Sequence, residues 1–262
     1  MNKATQFFCA VWVGFLIFPV CAVAADGTET SDKFEVTAGM SRTSQSLVHG
    51  VLVTYRNDPT LNASYETAKG FASVQNGVGV WLVRDEQLKA GVSVNYMMGR
   101  QEKADPRYAG MGRVSGSAMS YVWGEWQPIK DAVTLYGNAG NSWHAASGTL
   151  AQWGATIGFP VMGRVNGFVD LSRYWASQSY VQQYYGVTQA QSVTSGYNVF
   201  TARSSGTLYA NAQIGLAIEV DRDVDLIAAY GTSKASGMLM DSPLLNQKSQ
   251  AVSALVLNRR FH

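Results

Sequence analysis

The chain has little of what most exported domains use to hold themselves together. Its two cysteines, Cys9 and Cys21, both fall in the first two dozen of 262 residues. Past them there is no thiol for a disulfide, a thiolate metal site or a cysteine nucleophile. Histidine is equally scarce: His49, His144 and His262 are the whole set, and no metal-ligand spacing joins them to other donors. Charged residues form 15% of the chain and nearly cancel, to a formal +2, so nothing suggests a basic face for nucleic acid. No glycine-rich strand-to-helix turn of the phosphate-cradling kind occurs, and no cofactor is expected. Beyond the N-terminus, no apolar run reaches the ~20 residues of a spanning helix. Any crossing of a membrane must therefore use strands.

The N-terminus has its own pattern. Lys3, an apolar run from Phe7 to Val20, and Ala22-Val23-Ala24 before Ala25-Asp26 read as a secretory signal cleaved after Ala24. The expected division is residues 1–24 as signal and 25–262 as one domain. Phe18-Pro19-Val20 before Cys21 lacks the small residues expected of a lipidation site. An exported fold without disulfides has to be held by its sheet.

What the chain does have is alternation. From Leu208 to Val220, Leu208, Ala210, Ala212, Ile214, Leu216, Ile218 and Val220 alternate with Tyr209, Asn211, Gln213, Gly215, Ala217 and Glu219. A period of two over that length is a strand with one oily and one wet face. Asp221-Arg222-Asp223 breaks it, and Val224, Leu226, Ala228 and Tyr230 resume it. This is a long hairpin, and its arms exceed the five or six residues usual for soluble strands. They suit the roughly nine to eleven residues of a tilted strand crossing a bilayer. The same signature predicts strands over 33–40, 51–56, 61–65, 78–82, 88–98, 117–126, 133–143, 151–159, 165–175 and 249–261, with the facing of 117–126 ambiguous. Asn57-Asp58-Pro59-Thr60 reads as a turn, and 176–206 as the longest irregular segment. Short turns alternate with long loops. The expected fold is all-β: a closed antiparallel transmembrane barrel of about 12 strands, with short periplasmic turns and long extracellular loops. Such a barrel contacts outer-membrane lipid and lipopolysaccharide.

The predicted inward face carries Glu35, Arg56, Glu66, Lys89, Asp170, Glu219, Asp225 and Arg260, charges that could cross-link the lumen or line a polar pore. Trp123, Trp126, Trp143, Trp153, Trp175 and Tyr230 read as girdle residues at the headgroup level. His144, near Asn141, Ser142 and Ser147, is the one candidate for hydrolase chemistry. No accompanying motif supports it, so a non-enzymatic protein is expected.

Three further blocks carry a resemblance. Tyr184-Tyr185-Gly186-Val187-Thr188-Gln189-Ala190-Gln191-Ser192 with Ser195-Gly196, Asp241-Ser242-Pro243, and Asp105-Pro106-Arg107 with Gly110-Met111-Gly112 are similar to signatures of the MipA/OmpV family of outer-membrane proteins. The resemblance covers most of the mature chain. It implies a barrel, and for the family's namesake a scaffold between a lytic transglycosylase and a bifunctional peptidoglycan synthase. Adhesion, ligand binding or a narrow channel are the alternatives. The chain departs from the usual barrel terminus in one respect: His262 follows Phe261, the aromatic that such barrels commonly end on.

Overall fold

A computed structural model describes residues 33–48, 51–74, 76–104, 108–144, 147–245 and 248–261, with the side chains of all but 41–48 and 51–60. The expected signal (1–24), His49, Asp105-Pro106-Arg107 and His262 lie outside these residues, as does the side chain of Arg56.

Twelve strands form one closed barrel in which each pairs antiparallel with its sequence neighbours. They are β1 (Lys33–Val48), β2 (Val51–Glu66), β3 (Gly70–Ser73), β4 (Gly77–Arg84), β5 (Leu88–Met97) and β6 (Ser117–Ile129). The second half comprises β7 (Val133–Ser142), β8 (Thr149–Met162), β9 (Val165–Ala176), β10 (Gly206–Asp221), β11 (Val224–Ala235) and β12 (Ser249–Phe261). The seam closes between β1 and β12, from Phe34 opposite Phe261 to Thr43 opposite Val252. Closure leaves no sheet edge there, the condition for placing backbone in hydrocarbon.

The two faces sort as the alternation demands. Ile214 is 55% exposed on the outside, whereas its neighbour Gln213 is 6% exposed within. Val78, Val80, Leu82, Leu171 and Leu257 are likewise exposed. A wall that is oily outside and polar inside is stable only in apolar surroundings. Inward aromatic rings are seated on strand glycines: Phe71 lies against Gly79 and Phe168 against Gly215, where a β-carbon would collide with the ring. These two glycines are what let large rings lie flat in a narrow lumen.

Several expectations change. Asn57–Thr60 is not a turn, because β2 runs through it with Pro59 opposite Met40. Proline is admitted there because β2 has no partner on its other side at that height, and only an edge strand tolerates the missing donor. The strand count stands because β3, four residues that alternation is too short to reveal, replaces the one lost. The facing of β6 is settled with Met119, Tyr121 and Trp123 inward and Val122 and Trp126 outward. Trp123 is therefore not a girdle residue; it packs with Phe71 and Trp81 inside, ring centroids about 5 Å apart. Trp126, Trp143, Trp153 and Tyr230 do lie exposed on the outside. Leu208 belongs to the oily row by sequence but is buried, because a bulge between Thr207 and Tyr209 turns it inward. The connections at one end are short turns, and those at the other include every long loop.

Candidate functional site

The segment 176–206 is not irregular. It contains α1 (Gln178–Tyr185) and α2 (Gln189–Ser195), and both have clear local causes. Ser177 caps α1, its hydroxyl accepting from the Tyr180 N–H and, at 2.9 Å, from the Thr149 N–H on the wall. Tyr180, Val181, Tyr184 and Tyr185 follow at helical spacing and are all buried. They form one apolar core with Met97 from β5, Met119 from β6, Leu208 from β10, and Leu239 and Leu245 from the last loop. The Tyr180 and Tyr184 rings lie 4.6 Å apart, and the Tyr185 and Tyr209 hydroxyls share a hydrogen bond of 2.9 Å. The helix thus packs against the loop-end wall as a plug-like element.

The blocks that carried the family resemblance meet in this plug. Val187 is fully buried and exchanges two backbone bonds with Phe200, at 2.9 and 3.0 Å. Thr188 and Gln191 form a reciprocal capping box that starts α2. Gly196 ends α2 with φ 78°, a left-handed cap that favours glycine, while Ser195 Oγ donates back to the Gln191 carbonyl. Gln191 Nε2 reaches the Met111 carbonyl and Thr194 Oγ1 the Gly110 carbonyl, each at 2.6 Å. From the third block, buried Ser242 donates to the Tyr185 carbonyl at 2.7 Å, with Pro243 beside it partly buried and Asp241 exposed. Tyr108, Met111, Val187 and Leu244 fill the space between the blocks, a second small core. Gly186 gives its N–H to the Gln182 carbonyl and ends α1.

Arg100, which alternation leaves in a polar loop, is the buried cation of the plug. Its Nη1 donates to the Tyr184 carbonyl at 2.9 Å, and its guanidinium lies 4.7 Å from the centre of the Tyr108 ring. Burial lowers its pKa from the ordinary guanidinium value, and the surrounding tyrosines oppose the shift. Burial also pushes the Tyr184 phenol up to about 12. The signals for α1 were present in the sequence: a serine cap followed by Tyr180, Val181, Tyr184 and Tyr185 at a period near 3.6.

Of the eight charges proposed for the lumen, the seven with described side chains are dispersed. Asp225 pairs with Arg260 at 3.2 Å, and Glu219 stands opposite Asp225 in the ladder. Glu66 pairs with Arg84, the last residue of β4, at 3.2 Å, and Arg84 also donates to the Thr67 carbonyl. Asp170 takes no cation. It accepts from Tyr136 and Thr156, each at 2.8 Å. Glu35 accepts from Asn258, which in turn accepts from Thr37. Lys89 faces Glu125 across β5 and β6. Phe168, Ile227, Ala229 and Val256 fill part of the lumen between these polar groups.

For hydrolysis the arrangement offers little. His144 is exposed, and its backbone N–H, not its imidazole, meets Ser117 and Ser142 at 3.1 Å. Among the described residues no three His, Cys, Asp or Glu side chains gather to hold a metal.

An oily exterior and an interior of polar groups and packed rings define an outer-membrane-type β-barrel. The sequence profile of the family described as "MltA-interacting protein MipA" matches residues 35–261, and the chain belongs to that family. No curated protein matches it. Among solved structures it is similar to the NanC porin, at 8% identity and TM-score 0.43, over 86% of this chain and 98% of that one. It is also similar to the outer membrane channel DcaP of Acinetobacter baumannii, at 9% identity and TM-score 0.41, over 88% and 96%. The translocator domain of autotransporter NalP from Neisseria meningitidis matches at 11% identity and TM-score 0.40, over 90% of each chain. Likeness at this level says nothing about substrates.

Proposed function

We propose that the protein is a non-enzymatic barrel of the outer membrane. In this reading its turn end faces the periplasm and docks peptidoglycan-remodelling enzymes, a lytic transglycosylase and a peptidoglycan synthase. The observation that carries the reading is the plug: the family's signature residues are spent on packing and hydrogen bonds within the loop end, which suits a scaffold better than a conduit. The family's descriptive name supplies the transglycosylase as a partner. The turn end offers a rigid charged surface. Asp85 accepts from the Gln87 and Leu88 N–H groups, Lys130 meets Glu86 of a neighbouring turn at 3.3 Å, and Arg260 donates to the Arg222 carbonyl at 3.1 Å. Charges held this way steer encounter more than they add affinity.

The test is crosslinking of the membrane-embedded full-length protein to both enzymes, beside planar-bilayer recording. Capture of the transglycosylase, weakened by Glu86→Lys with Asp223→Lys and by salt, together with low conductance, is the expected result. No capture at low salt, with steady currents that shift when Lys89 and Glu219 are neutralised, would replace the scaffold by a channel.

A further inference from the structure

The outward rows of the wall carry few charges, and those near the loop end stand together. On the loop-end half of the barrel, the outward strand positions with described side chains hold two charges, Arg173 of β9 and Lys234 of β11, and no acid. Both side chains are exposed. Strand register brings them to one place: Ala210 of β10 stands opposite Arg173 on one side and opposite Lys234 on the other. Two strand spacings separate the pair, about 10 Å from Cα to Cα. Trp153, 45% exposed, lies opposite Arg173 on β8.

The protein supplies these cations with no counter-charge. Among the described residues, neither side chain makes an ion pair or a hydrogen bond. The next outward row is Leu171, Ala212 and Thr232, and the one after it is Val169, Ile214 and Tyr230, so the pair borders the oily band and no acid follows it. A charge on a lipid-facing wall needs a partner, and where the chain offers none the surroundings must. Arginine and lysine lay their apolar stems along such a wall and place their heads at the membrane surface. Water there would accept either sign, whereas phosphate heads favour cations and repel acids. The guanidinium takes phosphate oxygens two at a time, and the ammonium takes them as a point charge. The spacing narrows the class further. Two cations held about 10 Å apart across an alanine match a head with two phosphates separated by a sugar core, while a single phosphate engages one or the other. Below the pair, Ala210 and Ala212 present only methyl groups, so acyl chains can lie close along β10 beside the exposed Leu171.

We propose that Arg173 and Lys234 form a binding site for the diphosphoryl head of an outer-leaflet glycolipid, lipopolysaccharide, whose acyl chains lie along β10. The proposal rests on the reading that the barrel spans an outer membrane with its long loops outside, and it is independent of the scaffold.

The test is native mass spectrometry of the full-length protein in mild detergent, titrated with three lipids: diphosphoryl hexa-acyl lipid A, the same lipid with both phosphates removed, and phosphatidylglycerol. Each protein is first checked for the heat-dependent gel shift of a closed barrel. The wild type should retain one diphosphoryl lipid A, at least tenfold more tightly than either of the other lipids. Arg173→Gln with Lys234→Gln should weaken that binding at least tenfold, whereas Arg173→Lys with Lys234→Arg, which keeps both charges, should largely preserve it. Arg259→Gln, which removes an exposed outward cation at the turn end, should leave it unchanged. Equal retention of the dephosphorylated lipid would show apolar contact alone, and equal retention of phosphatidylglycerol would show a site for any anionic headgroup. Either result overturns the proposal, as does unchanged binding in the paired glutamine variant. The wild-type comparison among lipids decides the matter even where that variant fails to fold. Absence of the gel shift in the wild type would remove the membrane barrel, and the site with it. Failure to capture cell-wall enzymes would touch only the scaffold.

Discussion

Replacing Tyr184 by alanine tests whether the plug is a separate cooperative unit from the wall. The side chain is fully buried, stacks on Tyr180 at 4.6 Å, and belongs to the core shared by α1, β5, β6 and β10. Deleting a buried aromatic ring costs about 3–5 kcal/mol. The hydrogen bond from the Arg100 guanidinium goes to the main-chain carbonyl of Tyr184 and survives the change. A penalty of that size is a factor of about 10² to 4 × 10³ in the opening equilibrium. The wall should not share it, because its strands are held by ladders that do not run through α1. Native-state hydrogen exchange should show amides of 178–196 exchanging about 10² to 4 × 10³ times faster, with those of β10 and β11 unchanged. Tyr230→Ala, an exposed aromatic on the outside, should leave 178–196 alone. Equal acceleration in plug and wall, or none in the plug, would refute the reasoning.

Two further outcomes are expected. Ile214→Arg should destabilise the barrel by about 2–4 kcal/mol if the residue sits at the bilayer midplane, whereas Gln213→Arg, facing inward opposite Asp170, should cost less; denaturant titration in vesicles would measure both, and equal losses would contradict the facing. The Tyr184 phenol has a folded pKa of about 12, above the ordinary value of about 10, so its contribution to the plug is complete below pH 10 and drains away as pH rises towards 12. The near-ultraviolet dichroism of the plug should be flat to about pH 10 and fall above it, later in Tyr184→Phe; a fall beginning near neutrality would exclude this cause.

Where local pattern and environment agree, the sequence by itself determined the result. Long alternation in 208–220 and 224–230 specifies strands with one apolar face, their length favours a bilayer crossing, and the scarcity of thiols leaves the sheet to hold an exported chain together. Only the tertiary structure decided what depends on residues far apart in the chain. Pro59 looks like a turn until β2 is seen to have a free edge at its height, and β3 is too short to show a period. Leu208 and Trp123 face inward because a bulge and the β6 register place them so, and neither is encoded within a few residues. The three family blocks stand far apart in sequence, yet Ser242, Gln191 and Thr194 join them by hydrogen bonds to carbonyls of Tyr185, Met111 and Gly110. Alternation reports which way a side chain points from its own strand. What it meets across the lumen is fixed by closure of the sheet and by the loops folded into it, and that is where the plug arises.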